Sequence, residues 1–134
     1  MKDRFRILFV TPTSSEREHL ASLMDDLKAQ VTYVDTPAEA IHQLRSGLRF
    51  DVVFMGISVP GEEHCPVLTA VQQSDPSTAV VLLSHSDDVG FYLECLRQGV
   101  FDYIPRPVDW KEFRRIYHLA LDRRASTRSN SYAA

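Results

Sequence analysis

Apolar residues along this chain fall into two rhythms that alternate five times. Short, mostly apolar stretches occupy positions 6–10 (RILFV), 31–34 (VTYV) and 101–104 (FDYI), and fully apolar runs occupy 52–55 (VVFM) and 79–83 (AVVLL). A run with no apolar–polar alternation is how a strand reads when it is buried on both faces, as in a parallel sheet covered by helices. Between the runs, apolar residues recur at three- and four-residue steps: Leu20, Leu23, Met24 and Leu27, then Ala40, Ile41 and Leu44, then Val67, Leu68 and Val71. Phe113, Ile116, Tyr117, Ala120 and Leu121 repeat the pattern after the last run. Each set marks one buried stripe of a helix.

The polar punctuation agrees with this division. Ser15 followed by Glu18 has capping-box spacing, as do Thr36 with Glu39 and Asp109 with Glu112. Pro37 suits the first turn of a helix, and Pro66 opens the third helix. Ser86 or Asp87 caps a fourth helix that Gly99 stops, and Gly47 sits where the second should end. Glu62, Glu63 and His64, after the Pro60-Gly61 turn, read as exposed loop. Five strand–helix units predict an α/β, flavodoxin-like (βα)5 fold, a doubly wound parallel sheet in strand order 2-1-3-4-5. The weak run at 31–34 belongs near an edge. Residues 1–123 form the domain, and the small polar residues of 124–134 read as a flexible tail or linker remnant.

Composition narrows the function classes. The net charge of −3 argues against a general nucleic-acid binder. No apolar run reaches the roughly 20 residues of a membrane span, and none resembles a signal peptide, so the expected location is cytoplasmic. Cys65 and Cys95 are then expected as thiols and not as a bridge.

In an open α/β sheet the chemistry sits at the carboxyl ends of the central strands. The central run FDVVFMGISVPG ends at Gly56. With ILFV at the start, VVLLS, and LRQGVFDYIPRP near the end, it makes residues 5–122 resemble the response-regulator receiver domains of two-component signalling. That resemblance implies phosphoryl transfer from a histidine kinase to an aspartate. It also implies Mg²⁺ held by two acidic residues after the first strand, a lysine and a hydroxyl on the phosphoryl oxygens, and an aromatic switch. In this chain the aspartate position is Gly56, the acidic pair is Thr11 and Pro12, the lysine is Arg106, the hydroxyl is Ser84 and the aromatic is Tyr103. Glycine has nothing with which to attack phosphorus, and Mg²⁺ dehydrates reluctantly without carboxylates. Asp51, at the far end of the strand, lies roughly 16 Å away. The expectation is a degenerate receiver with no catalytic residue, no metal and no cofactor, Mg²⁺ included.

Two functions follow. One is a domain acting by contact with a protein partner or a second copy through the fourth helix, fifth strand and fifth helix. Phe91, Tyr92, Cys95, Trp110 and Phe113 are its candidate surface, and membrane and nucleic acid are not its partners. The other is a sensor whose carboxylate-free pocket takes a small anion on Arg106, unless Arg106 turns outward or pairs with a nearby surface acid. Lesser candidates are His85 as a gate, His64, Cys65 and His85 as metal ligands, and Ser58 or Thr11 as a substitute nucleophile. The basic residues Arg114, Arg115, Arg123, Arg124 and Arg128 read as the solvated face of the last helix.

Overall fold

A computed structural model describes residues 4–57 and 64–133. The elements alternate as the pattern predicts: β1 (Phe5–Val10), α1 (Ser14–Leu27), β2 (Ala29–Val34), α2 (Pro37–Arg45), β3 (Val52–Ile57), α3 (His64–Ser74), β4 (Ala79–Ser84), α4 (Val89–Gln98), β5 (Asp102–Pro105) and α5 (Trp110–Ala133). The five strands form one sheet in the order β2-β1-β3-β4-β5, and every pairing is parallel.

The continuous apolar runs are explained by two cores. Strand side chains alternate between faces, and here both faces are covered. Ile7, Phe9, Val52, Phe54, Val81 and Leu83 pack with Leu20 and Leu27 of α1 and Phe113, Ile116 and Tyr117 of α5. Leu8, Val10, Val53, Met55, Ile57 and Leu82 pack against α2, α3 and Cys95 of α4. All of β3 and all of β4 are buried.

Several boundaries differ from expectation for local reasons. The α1 cap is Thr13, not Ser15: its hydroxyl accepts from the Glu16 amide at 3.1 Å, and the Glu16 carboxylate accepts from the Thr13 amide at 3.0 Å. Asp88, not Ser86 or Asp87, caps α4. Helix α3 begins at His64, so that residue is no exposed loop: it is 2% exposed and its ring nitrogen meets Gln98 at 2.9 Å. Glu62 and Glu63, with Ser58, lie outside the described residues.

The stretch after residue 123 is not a structureless tail. Helix α5 continues to Ala133, and Arg124 is buried. Its guanidinium donates to Asp51 at 2.8 Å, Asp75 at 2.9 Å, Ser77 at 2.7 Å and Thr78 at 3.1 Å. Asp51 thus anchors the end of the sheet remote from Gly56, where it also accepts from the Arg6 amide. Apolar periodicity misses such an anchor because its partners are polar. Arg123 is also half-buried, stacked over Phe101 at 4.9 Å, so only part of the basic run covers a solvated face.

Candidate functional site

The parallel register brings four strand ends to one edge of the sheet. Ile57 stands beside Ser84, and Ser84 beside Pro105, while the Arg106 amide donates to the Ser84 carbonyl at 2.8 Å. Thr11 leaves β1 with a left-handed φ of 54°, a strained conformation for a β-branched residue. Its amide donates to Val34 and its hydroxyl to the Asp35 carbonyl at 3.3 Å. Pro12 carries the chain from Thr11 to the Thr13 cap.

Arg106 reaches inward across this edge. Its Nε donates to one Glu16 oxygen and its Nη2 to the other, each at 2.8 Å, and Nη2 also donates to the Thr11 carbonyl at 3.2 Å. The two side chains are only 5% and 7% exposed. Such a two-pronged guanidinium–carboxylate pair is strong and directionally fixed. Arg106 thus does not turn outward; it does pair with a nearby acid, but that acid is buried and not on the surface. The pair overturns the expectation of a pocket with no carboxylate: Glu16 belongs to it.

Gly56 is where this pair needs room. A Cβ placed there would lie 2.2 Å from Arg106 Nη2, 2.9 Å from its Cζ and 2.5 Å from the Thr11 carbonyl oxygen. The guanidinium therefore fills the space into which any side chain at position 56 would project. Ser84 is buried, and its hydroxyl accepts from the Ser86 amide at 3.0 Å. The Tyr103 hydroxyl donates to the carbonyls of Ser84 and Ser86, which ties β5 to the β4–α4 loop. His85 is exposed and lines the mouth of a cavity of about 180 Å³ beside Thr13, Glu16, Arg106 and Trp110.

The candidate surface is only partly a surface. Cys95 is 1% exposed and Phe113 is fully buried. Both are core residues, because each points from its helix toward the sheet. Phe91 packs half-buried against the His64 ring at 5.8 Å, and Tyr92 leans on Tyr103 at 5.0 Å. The Tyr92 hydroxyl, raised in pKa by burial and by Asp102, donates to that carboxylate at 3.3 Å. Trp110 stacks on His19 at 4.4 Å. The most exposed apolar side chains on α4 are Val89 at 65% and Leu93 at 57%. They stand one helical turn apart.

His64 and Cys65 are brought together with Cys95, while His85 lies elsewhere on the β4–α4 loop. Among the described residues no group of three His, Cys, Asp or Glu is arranged to hold a metal ion. Nor is any helix among them long and apolar enough to cross a membrane.

Fold and site together define a doubly wound, flavodoxin-like module whose polar residues gather at the carboxyl edge of the sheet. The sequence profile of the response regulator receiver domain matches residues 7–118, and the chain belongs to that family, which serves two-component signalling. It is similar to the two-component response regulator-like protein APRR5 of Arabidopsis thaliana, 23% identical over 134 residues, covering 98% of this chain and 24% of that protein. It is also similar to the regulatory protein AtoC of Escherichia coli (strain K12), 28% identical over 116 residues, covering 87% and 25%. The chain thus spans about a quarter of the length of these two relatives. Its fold matches the signal receiver domain of an HD domain-containing protein from Pseudomonas fluorescens Pf-5 with a TM-score of 0.80 and 23% identity, covering 96% of this chain and 95% of that one.

Proposed function

We propose that this receiver domain acts in signalling by protein–protein contact, without aspartyl phosphorylation and without catalysis of its own. One observation carries the reading: the Arg106 guanidinium, neutralised by Glu16, stands where a side chain at position 56 would be. Position 56 then offers neither a nucleophile nor space for one. The site also fits Mg²⁺ poorly. Thr11 and Pro12 bring no carboxylate, and both Glu16 oxygens are committed to a cation. Phosphoryl transfer depends on positioning and charge neutralisation by such groups.

The contact face in this reading is α4, β5 and the start of α5, where Val89 and Leu93 are exposed on the same helix as Phe91 and Tyr92. An anionic ligand on Arg106 comes second, because Glu16 already supplies the anion that the guanidinium would otherwise seek.

The test is intact mass after incubation with acetyl phosphate and Mg²⁺, beside a phosphorylatable receiver as control. No added phosphoryl group is expected; a stable adduct would sink the reading and point to whichever residue carried it. For the contact face, Leu93→Arg should leave stability within about 0.5 kcal/mol, as is usual for an exposed position, and abolish self-association or partner binding. Undiminished association of that variant would place the contact elsewhere.

A further inference from the structure

The two cysteines, thirty positions apart in sequence, meet over one imidazole. His64 Nε2 lies 3.7 Å from Cys65 Sγ and 3.6 Å from Cys95 Sγ. The sulfurs are therefore no farther apart than those two distances laid end to end. Gln98 closes the group: its side-chain oxygen is 2.9 Å from the same nitrogen and accepts from the Cys65 thiol at 3.8 Å. No disulfide joins the two residues here. Cys65 is half-buried at the start of α3, whereas Cys95 is 1% exposed on α4.

We infer that Cys65 and Cys95 form a reversible disulfide under oxidation, tying the start of α3 to α4. Intracellular disulfides are typically transient and redox-sensing. The unequal burial gives the order of events. A small peroxide reaches Cys65 first, while burial pushes the Cys95 thiol up to about 11 and holds it protonated. The Cys65 thiolate attacks a peroxide oxygen, the O–O bond breaks, and hydroxide leaves to take up the proton that the thiol had lost. Cys65 is then a sulfenic acid. Cys95 sulfur attacks the Cys65 sulfur, the S–O bond breaks, and the departing hydroxide takes the Cys95 proton as water. In sum, two thiols are oxidised to one disulfide and one peroxide is reduced to two waters. A dithiol reductant reverses the change.

Closing the bond brings the sulfurs to about 2 Å, which requires both side chains to rotate over His64. The His64 ring packs edge-on against Phe91, so the rearrangement reaches the helix that carries Val89 and Leu93. The inference stands on the cysteine geometry and is independent of whether the domain is phosphorylated.

The test uses the full chain, treated with graded hydrogen peroxide, alkylated after unfolding, and weighed without reductant. The expected product is a monomer lighter by two hydrogens, with both alkylation sites lost and both restored by dithiothreitol. Peptide mapping of the wild-type protein should find the Cys65–Cys95 link directly, so the result does not depend on a variant folding. Cys65→Ser and Cys95→Ser should each abolish the product. Oxygen added to Cys65 with Cys95 still alkylated, a dimer linked between chains, or no reaction would each overturn the inference.

Discussion

Gly56→Ala is the smallest change that tests how the site is built. The added methyl carbon would stand 2.2 Å from Arg106 Nη2 and 2.5 Å from the Thr11 carbonyl oxygen, well inside contact distance. The Arg106 tip is flexible in principle, but Glu16 pins it with two hydrogen bonds, and Thr11 is backbone in an already strained turn. Relief therefore means expelling the guanidinium and leaving Glu16 buried without its partner. Breaking a buried ion pair on one side costs about 3–5 kcal/mol, and both side chains here are more than nine-tenths buried. In urea, with a slope near 2 kcal/mol/M, the unfolding midpoint should fall by roughly 2 M. The same substitution made on Arg106→Ala should cost less by the guanidinium's share alone, because the clash with the Thr11 carbonyl remains in both backgrounds. This double-mutant cycle isolates the steric coupling. A Gly56→Ala midpoint within about 0.3 M of wild type, where neutral substitutions fall, would refute the claim that the guanidinium fills this space.

Two further predictions concern the frame around the site. Lys28 caps α1 in the left-handed region at φ 53°, so Lys28→Gly should stabilise the domain by about 1 kcal/mol in the same unfolding assay. Arg124→Ala should cost about 3 kcal/mol, the low end for a broken buried pair, since Asp51 and Asp75 remain 20% and 15% exposed. Burial raises the Asp75 carboxyl, but hydrogen bonds from Ser77 and Arg124, with the Arg124 charge, outweigh it and hold the pKa below the ordinary aspartate value. That contribution to stability is present above the unfolded aspartate pKa and is lost as pH falls through the folded one. Urea titrations from pH 6 down to pH 2 should therefore show a shallower acid loss in Arg124→Ala than in wild type.

The fold was legible because its signals are local. The runs at 52–55 and 79–83 are apolar on both faces, and the structure buries both faces of β3 and β4. The position of the site was legible for the same reason, since strand ends follow from strand limits. Its content was not. Thr13 and Glu16 have capping-box spacing as plainly as Ser15 and Glu18 do, and reading the cap at the second pair hid a carboxylate that faces Arg106. Nothing local marks a glutamate ninety positions away as the partner of an arginine. Arg124 escaped notice similarly: its four partners, Asp51 just before β3 and Asp75, Ser77 and Thr78 in the α3–β4 connection, meet α5 only in the folded sheet. The surface reading failed at Cys95 and Phe113 because composition shows that a helix is rich in apolar residues without showing which of them face inward.

Gly56, Arg106 and Glu16 act as one unit. A buried arginine at position 106 with no carboxylate at positions 11, 12 or 56 would be an uncompensated charge, which folded proteins seldom tolerate. Glu16 supplies the compensation, and it can do so because the α1 cap at Thr13 fixes that carboxylate at the edge of the sheet. Gly56 supplies the room. Each residue's tolerance thus depends on the other two: a side chain at 56 displaces Arg106, loss of Arg106 strands Glu16, and loss of Glu16 strands Arg106. An aspartate placed at position 56 alone would set its Cβ in the same collision. An acidic pocket would need positions 56 and 106 changed together, with acids placed at 11 and 12.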